Sequence, residues 1–127
     1  MVEDLQLEPL LRTRIGALSK GQRKRAVLAV GWLTPAPVLL ADEPFDGLDL
    51  RQTREVGAAL RRHAAAGRTL FLSIHAIADA ARVCDRFVLL SGGRVRGEGS
   101  LADLRAAASA HAGTDVRDLE EAFLALT

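Results

Sequence analysis

The chain has 127 residues, 49% of them hydrophobic, with 17 basic and 16 acidic side chains and a net charge of +1. This size and composition are typical of one soluble globular domain with a modest core. The balanced charge argues against a bulk electrostatic hold on nucleic acid or on an anionic membrane. The single cysteine, Cys84, excludes an internal disulfide and fits a reducing compartment. Its place in an apolar helical pattern predicts a buried, inert thiol.

Membrane-spanning and secretory segments are not predicted. No apolar run approaches the ~18 residues that a bilayer-spanning helix needs. The opening MVEDLQLEPLLRT is acidic and has no basic stretch followed by an apolar one, so it does not resemble a signal peptide. We therefore expect a cytoplasmic protein, which reaches a membrane only through a partner.

The first predicted helix follows Ser19-Lys20-Gly21-Gln22 and runs to about Leu33. Serine followed three residues later by glutamine predicts a capping box, in which the two side chains bond free backbone N–H groups. A glycine-bearing helix N-terminus is also a ready anion site. The two interpretations are compatible. The basic run Arg23-Lys24-Arg25 is typical of a solvated or phosphate-facing helix flank.

Three aliphatic runs follow, Pro37–Asp42, Arg68–His75 and Asp85–Ser91, and none alternates apolar with polar residues. Such runs predict strands buried on both faces, as in a parallel sheet. Helical patterns over Leu50–Ala66 and Ile77–Val83 separate them, which predicts right-handed βαβ crossovers and an α/β fold.

The C-terminal third continues with SGGRVRGEG, which indicates a tight turn and an antiparallel edge strand. Ser100 is then expected to cap a helix that runs to about Ala110, with Gly113 beyond its end. We expect Asp115 to cap a last amphipathic helix that docks on the body.

Three side chains able to do chemistry fall at strand ends, where open α/β sheets bind ligands. Asp42 can hold Mg²⁺, which prefers hard oxygen ligands. On an extended chain Glu43 would point the other way and could polarise a water molecule. His75 could stabilise a transferring phosphoryl group. The alternative is that the acidic pair only caps the next helix.

The order and spacing of the motifs closely resemble the ATP-binding-cassette (ABC) ATPases. Leu18–Gln22 is similar to the family's signature loop, Val38–Asp42 to its Walker B strand, and Glu43 to its catalytic glutamate. Asp46–Asp49 resembles the D-loop, and His75 stands where the family has its switch histidine. Four motifs in order are a strong signal where one would be weak.

The resemblance implies a P-loop NTPase-like parallel sheet flanked by helices, with ATP and Mg²⁺ as ligands. It implies that Ser19, Lys20, Gly21 and Gln22 contact the ATP of an opposite nucleotide-binding subunit, with Asp49 in the D-loop. Asp42 would bind the metal, and Glu43 and His75 would be catalytic. Lys20 replaces the first glycine of the usual signature pair. A transmembrane permease is the further implied partner, and no nucleic acid is expected.

No G-x-x-x-x-G-K-[ST] string occurs in the 127 residues, although the family places its P-loop ahead of the signature. We therefore expect the C-terminal portion of a nucleotide-binding domain, incomplete as a fold, with an exposed sheet edge and weak or absent ATP binding by itself. Its expected parts are residues 1–33 (end of a helical subdomain and signature helix), 34–110 (Walker B, D-loop and switch region) and 111–127 (docking helix).

Two questions of function stay open in the sequence. The closing DLEEAFLALT is similar to the last helix of ATPases that serve ABC-2-type exporters, which favours export through a permease at the inner face of the cytoplasmic membrane. Alternatively, the chain supplies its signature loop in trans to another P-loop-bearing polypeptide. An ABC protein without a permease, acting on DNA or the ribosome, is disfavoured by the near-neutral charge.

Overall fold

A computed structural model describes residues 5–127, which divide into two compact units, residues 5–75 and 76–127. The first contains two short 3₁₀ turns, two helices and two strands: Glu8–Leu10, Ile15–Ala17, α1 (Lys20–Leu33), β1 (Val38–Asp42), α2 (Leu50–Ala65) and β2 (Thr69–Ser73). The second contains α3 (Ile77–Val83), β3 (Phe87–Ser91), β4 (Arg94–Gly99), α4 (Leu101–Ala112) and α5 (Leu119–Leu126).

In the first unit, β1 and β2 form a parallel pair joined through α2, which confirms the α/β class and the first predicted crossover. The register sets Val38 against Thr69 and Asp42 against Ser73. Both helices cover the pair, since α1 contacts β1 and α2 contacts β2. Parallel strands need such a crossover, and α2 provides it.

The prediction that these strands are buried on both faces is wrong for this chain. Every second residue of each strand is exposed, including Leu40 at 73% and Phe71 at 61%. An aliphatic run cannot show how many layers cover it, because its composition is the same with one layer or two. One face of the β1–β2 pair is thus open and apolar.

Buried side chains of α1 and α2 build the core of this unit. On α1 these recur at helical spacing and include Leu28 and Trp32; on α2 they include Val56 and Leu60. The Trp32 ring lies 4.3 Å from that of His63, measured between centroids. α2 ends as predicted, with Gly67 in a left-handed conformation directly after its C-cap residue.

One arginine fastens the end of α1 to the start of β2. Arg68 donates to the carbonyls of Trp32 and Ala36 at 3.1 and 3.2 Å, and also to that of Thr34. These carbonyls lie in the last turn of α1 and in the chain that leaves it, so the guanidinium fork supplies their donors.

In the second unit, β3 and β4 form an antiparallel hairpin around Gly92 and Gly93, both with positive φ (58° and 70°). Two glycines in that region give the tight turn that the sequence predicts. The predicted second crossover is not seen as a continuous sheet: within residues 5–127, β3 pairs with β4 and not with the β1–β2 pair. The local hairpin supplies the backbone partners of β3.

Two capped helices pack on the hairpin. Ser100 and Asp103 form the predicted capping box of α4, which extends to Ala112 before Gly113 turns the chain in a left-handed conformation. The core of this unit combines residues of β3, α4 and the C-terminal segment: Leu89, Leu104, Ala108, Val116, Leu119 and Ala122.

The last helix begins later than predicted. Asp118, not Asp115, caps α5, and its side chain accepts from the Glu121 N–H at 2.9 Å. Arg117 bonds the Glu121 carboxylate and lowers its pKa, chiefly through that hydrogen bond. α5 contacts α3 and α4. Val116 is buried ahead of the helix instead of within it.

Within the residues that the structure describes, no helix has both the length and the apolar character needed to cross a bilayer.

Candidate functional site

The carboxyl ends of β1 and β2 bring together four polar side chains, which we name the strand-end cluster: Asp42, Glu43, Ser73 and His75. Asp42 and Ser73 are register partners, and the Ser73 hydroxyl donates to the Asp42 carboxylate. The same hydroxyl accepts from the Glu43 N–H at 3.0 Å, as does the Ser73 carbonyl. The predicted meeting of these two strand ends is observed.

Glu43 leaves the strand in a left-handed conformation, with φ of 45°, and not in the extended one expected. A turn starts here, since Asp46 N–H bonds the Glu43 carbonyl at 3.1 Å. The turn directs the Glu43 carboxylate to His75, whose Nε2 lies 2.7 Å from Glu43 Oε1. Both side chains are accessible, at 38% for Glu43 and 87% for His75, so water reaches the pair.

Sequence reasoning did not identify Ser73. Its one available signal was position, because the strand that ends at Ser73 runs parallel to the one that ends at Asp42. Only the register shows that the two residues are direct partners. The Ser73 hydroxyl donates to Asp42 and accepts from the Glu43 N–H, and it therefore fixes these two residues relative to each other.

The second predicted group of site residues, Ser19–Gln22, lies at the start of α1. Ser19 Oγ accepts from the Gln22 N–H at 3.2 Å, and the Ser19 N–H donates to Gln22 Oε1 at 2.9 Å. The capping box is therefore formed. The next two amides of the helix have no intrahelical carbonyl partner, as at any helix N-terminus.

The Lys20 side chain is directed to the loop that follows β1. Its Nζ lies 2.9 Å from Asp46 Oδ2 in an exposed ion pair. The hydrogen bond from Lys20, and then its charge, lower the pKa of the Asp46 carboxyl. This contact joins the Ser19–Gln22 segment to the loop that follows β1.

The basic run on α1 does not form one solvated face, which was one of the two interpretations that the sequence allowed. Only Arg23 is exposed. Lys24 reaches the end of β1 and donates to the Asp42 carbonyl at 3.2 Å. Arg25 is buried and donates to the Leu5 carbonyl at 3.0 Å. A run of charges cannot show that its members point in different directions around a helix.

Asp49 has a structural role in this chain, because it caps α2. Its carboxylate accepts from the Gln52 N–H at 2.8 Å, and Gln52 Oε1 accepts from the Asp49 N–H in return. Cys84 follows α3 and is half-buried. Burial raises the pKa of its thiol, which keeps it protonated and unreactive.

The strand-end cluster suits Mg²⁺ by the chemistry of its donors. Asp42 and Ser73 supply hard oxygen atoms, and Mg²⁺ takes one or two protein carboxylates and completes its shell with water and phosphate oxygens. A dedicated all-protein cage would need more ligands, and no group of three or more His, Cys, Asp or Glu side chains in residues 5–127 forms one. The donors fit an ion that is shared with a phosphate ligand.

Replacing Ser73 with alanine is expected to destabilise the first unit by about 1 kcal/mol, since the Asp42 carboxylate loses its hydroxyl donor. Trp32 is the only tryptophan and lies in this unit, so its fluorescence during urea unfolding reports the change. Ser73→Thr keeps the hydroxyl and serves as the control. Equal midpoints for the wild type and both variants would contradict a positioning role for Ser73.

The chain is similar to known proteins in sequence and in fold. The family model "ABC transporter" matches residues 1–46. "Nod factor export ATP-binding protein I" of Neorhizobium galegae is 35% identical over 78% of this chain and 28% of its own length. "Phosphonates import ATP-binding protein PhnC 2" of Nostoc sp. is 36% identical over 84% of this chain and 44% of its own.

A solved structure described as an ATP-binding subunit of an ABC transporter superposes with a TM-score of 0.84 at 31% identity, over 98% of this chain and 50% of that one. The chain thus spans half or less of the length of these relatives. From the matched sequence, the shared fold and the order of its motifs, the chain belongs to the ABC family of transporter ATP-binding proteins.

Proposed function

We propose that the chain is part of an ATPase subunit that couples ATP hydrolysis at a dimer interface to transport through a separate permease. The observation that carries the proposal is the strand-end cluster, in which a carboxylate and an imidazole lie 2.7 Å apart beside a second carboxylate. Names of relatives that export and import substrates support the transporter context. In this function the chain lies at the cytoplasmic face of a membrane through its permease.

Each member of the cluster has a distinct task in this proposal. Asp42 holds Mg²⁺ together with the phosphate oxygens, and the ion supplies charge neutralisation for phosphoryl transfer. Glu43 is the general base, because its accessible carboxylate can accept a proton from an attacking water. His75 donates from Nε2, first to Glu43 and then to the phosphoryl oxygens as negative charge develops there. Ser73 keeps Asp42 and Glu43 in register.

The Ser19–Gln22 segment acts, in this proposal, on the ATP of a second subunit. The free amides and positive dipole end of α1 favour a phosphate group. Ser19 and Gln22 keep the first turn of α1 formed through their capping box, which fixes where those amides point. Relatives that export and relatives that import match about equally well, so they do not decide the direction of transport. Export is proposed because the C-terminal helix resembles that of exporter ATPases.

A second candidate function follows from one observation, the lack of a P-loop string in these 127 residues. In this alternative the chain is a non-catalytic or split-domain partner. It supplies Ser19–Gln22 in trans to another P-loop-bearing chain, and in the non-catalytic form hydrolysis there uses the glutamate of that other chain. Either way, we expect the 127 residues alone to show no ATP hydrolysis, since nothing in them matches the loop that cradles the β- and γ-phosphates.

Complementation separates the two functions. We would measure Mg-ATP hydrolysis by the chain alone, and by the chain combined with a P-loop polypeptide that resembles the other half of its relatives, which we name the complemented domain. The same chain would also be added to an intact ABC subunit whose own signature loop is inactivated. The first function predicts activity of the complemented domain that depends on Glu43. The alternative predicts rescue of the inactivated subunit equally by wild-type and Glu43→Gln chains.

A matched pair of variants controls the trans arm. Ser19→Ala removes the α1 cap at the proposed phosphate contact, whereas Ser100→Ala removes the same kind of capping box from α4. Each is expected to cost about 1 kcal/mol of stability, but only Ser19→Ala should abolish rescue. No activity in any arm would overturn both functions.

A further inference from the structure

Lys20, the first residue of α1, contacts a loop that lies more than twenty residues further along the sequence. Its Nζ lies 2.9 and 3.2 Å from the two Asp46 carboxylate oxygens. Its aliphatic stem crosses over Gly47, because a Cβ added to Gly47 would lie 2.9 Å from Lys20 Cδ. Lys20 therefore packs on one residue of the loop and forms an ion pair with its neighbour.

The backbones of the two segments also touch. A Cβ added to Gly21 would lie 2.9 Å from the Gly47 carbonyl oxygen, a separation that real Cβ atoms essentially never show. Gly47 itself has φ of 76°, in the left-handed region that favours glycine. One turn further along α1, Lys24 donates to the Asp42 carbonyl at 3.2 Å. The first two turns of α1 are thus fastened to residues 42–47 at three points, through Lys20, Gly21 and Lys24.

We propose that Lys20 and Asp46 are positioning residues that hold the Ser19–Gln22 segment and the Glu43–Asp49 loop together as one body. The inference rests on the proposed function, in which the first segment contacts a second subunit's nucleotide and the second bears the base of this subunit. A shift of either loop then moves the other. Lysine at this position, in place of the family's glycine, supplies a contact that glycine cannot make.

The Lys20–Asp46 pair is expected to fix the relative position of the two segments while adding little to the free energy of unfolding. Exposed ion pairs contribute little to the free energy of unfolding, because water and salt screen them. The Lys20 and Asp46 side chains are 72% and 47% accessible. We therefore expect Lys20→Met and Asp46→Asn to leave the unfolding midpoint almost unchanged while loosening the two loops.

The test begins with the 127-residue chain by NMR. Lys20→Met is expected to raise the pKa of the Asp46 carboxyl toward its ordinary value, because the largest cause of its lowering is removed, and to lower the ¹⁵N order parameter of Gly47. Asp46→Asn should lower that of Gly21, on the other side of the contact. Glu55→Gln breaks an exposed ion pair with Arg51 on α2 and is the matched control, with changes confined to that helix.

The decisive readout is rescue by the exchanged pair. Lys20→Asp combined with Asp46→Lys should restore the order parameter of Gly21 and, without the Lys20 stem over Gly47, part of that of Gly47, which a purely local effect of either residue would not do. In the complemented domain, each single variant should lower kcat for ATP about two- to five-fold, as for a broken exposed ion pair, with KM unchanged, and the exchange should recover it. Unchanged Asp46 pKa and Gly47 order in Lys20→Met would overturn the inference. An inactive wild-type complemented domain would instead overturn the proposed function, with the NMR result still deciding this one.

Discussion

Replacing Glu43 with glutamine is expected to reduce ATP hydrolysis by the complemented domain about 10²–10⁴-fold, the usual contribution of a positioned general base. Glutamine has nearly the same shape and can still accept from His75 Nε2, which lies 2.7 Å from Glu43 Oε1 in the wild type. It cannot take a proton from water. The change therefore separates the chemistry of the carboxylate from its place in the strand-end cluster.

The control for this prediction is Glu55→Gln, an identical change at a half-buried, ion-paired residue of α2 outside the strand-end cluster. It should leave the rate within about two-fold of the wild type, since surface substitutions rarely change stability by more than ~0.5 kcal/mol. A Glu43→Gln domain that hydrolyses ATP at the wild-type rate would exclude Glu43 as the base. Activity of the 127 residues alone, lost on Glu43→Gln, would show that the chain binds ATP without a P-loop and would overturn that part of the proposal.

The largest effect on stability is expected from Leu60→Ala, which should destabilise the first unit by about 2–5 kcal/mol. Leu60 is fully buried on α2 beside Val56 and is among the largest fully buried side chains. Truncation removes its apolar contacts and leaves a cavity that the packed surroundings fill only in part. Helix propensity does not contribute to the loss, because alanine is the best helix former.

Leu50→Ala provides the matched control on the same helix, since Leu50 is 64% exposed at its first position. It should change stability by no more than ~0.5 kcal/mol. Urea unfolding followed by Trp32 fluorescence measures both variants in the unit that contains them. Similar midpoints for Leu50→Ala and Leu60→Ala would contradict the core that we describe.

Several local features of the fold could be predicted from the sequence alone, because they depend on neighbouring residues. Ser19 and Ser100 cap their helices as predicted, and Gly113 ends α4 in the left-handed conformation. The paired glycines Gly92 and Gly93 form the hairpin turn. These features were predictable because each depends on residues no more than four positions apart, where a side chain finds its backbone partner whatever the rest of the fold does.

The meeting of Asp42, Glu43 and His75 also followed from the sequence, because parallel strands place their carboxyl ends at one edge. Finer placement did not. Asp115 and Asp118 are both competent caps, and the burial of Val116 ahead of α5 selects the second.

Only the tertiary structure decided which distant residues became partners. The strand register made Ser73 the partner of Asp42, and the approach of α1 to the loop after β1 turned Lys20 toward Asp46. The tertiary structure also left Leu40 and Phe71 exposed on an open sheet face. Residue type fixes what a side chain can bond or bury, whereas the packing of elements far apart in the chain fixes which partner or layer lies within its reach.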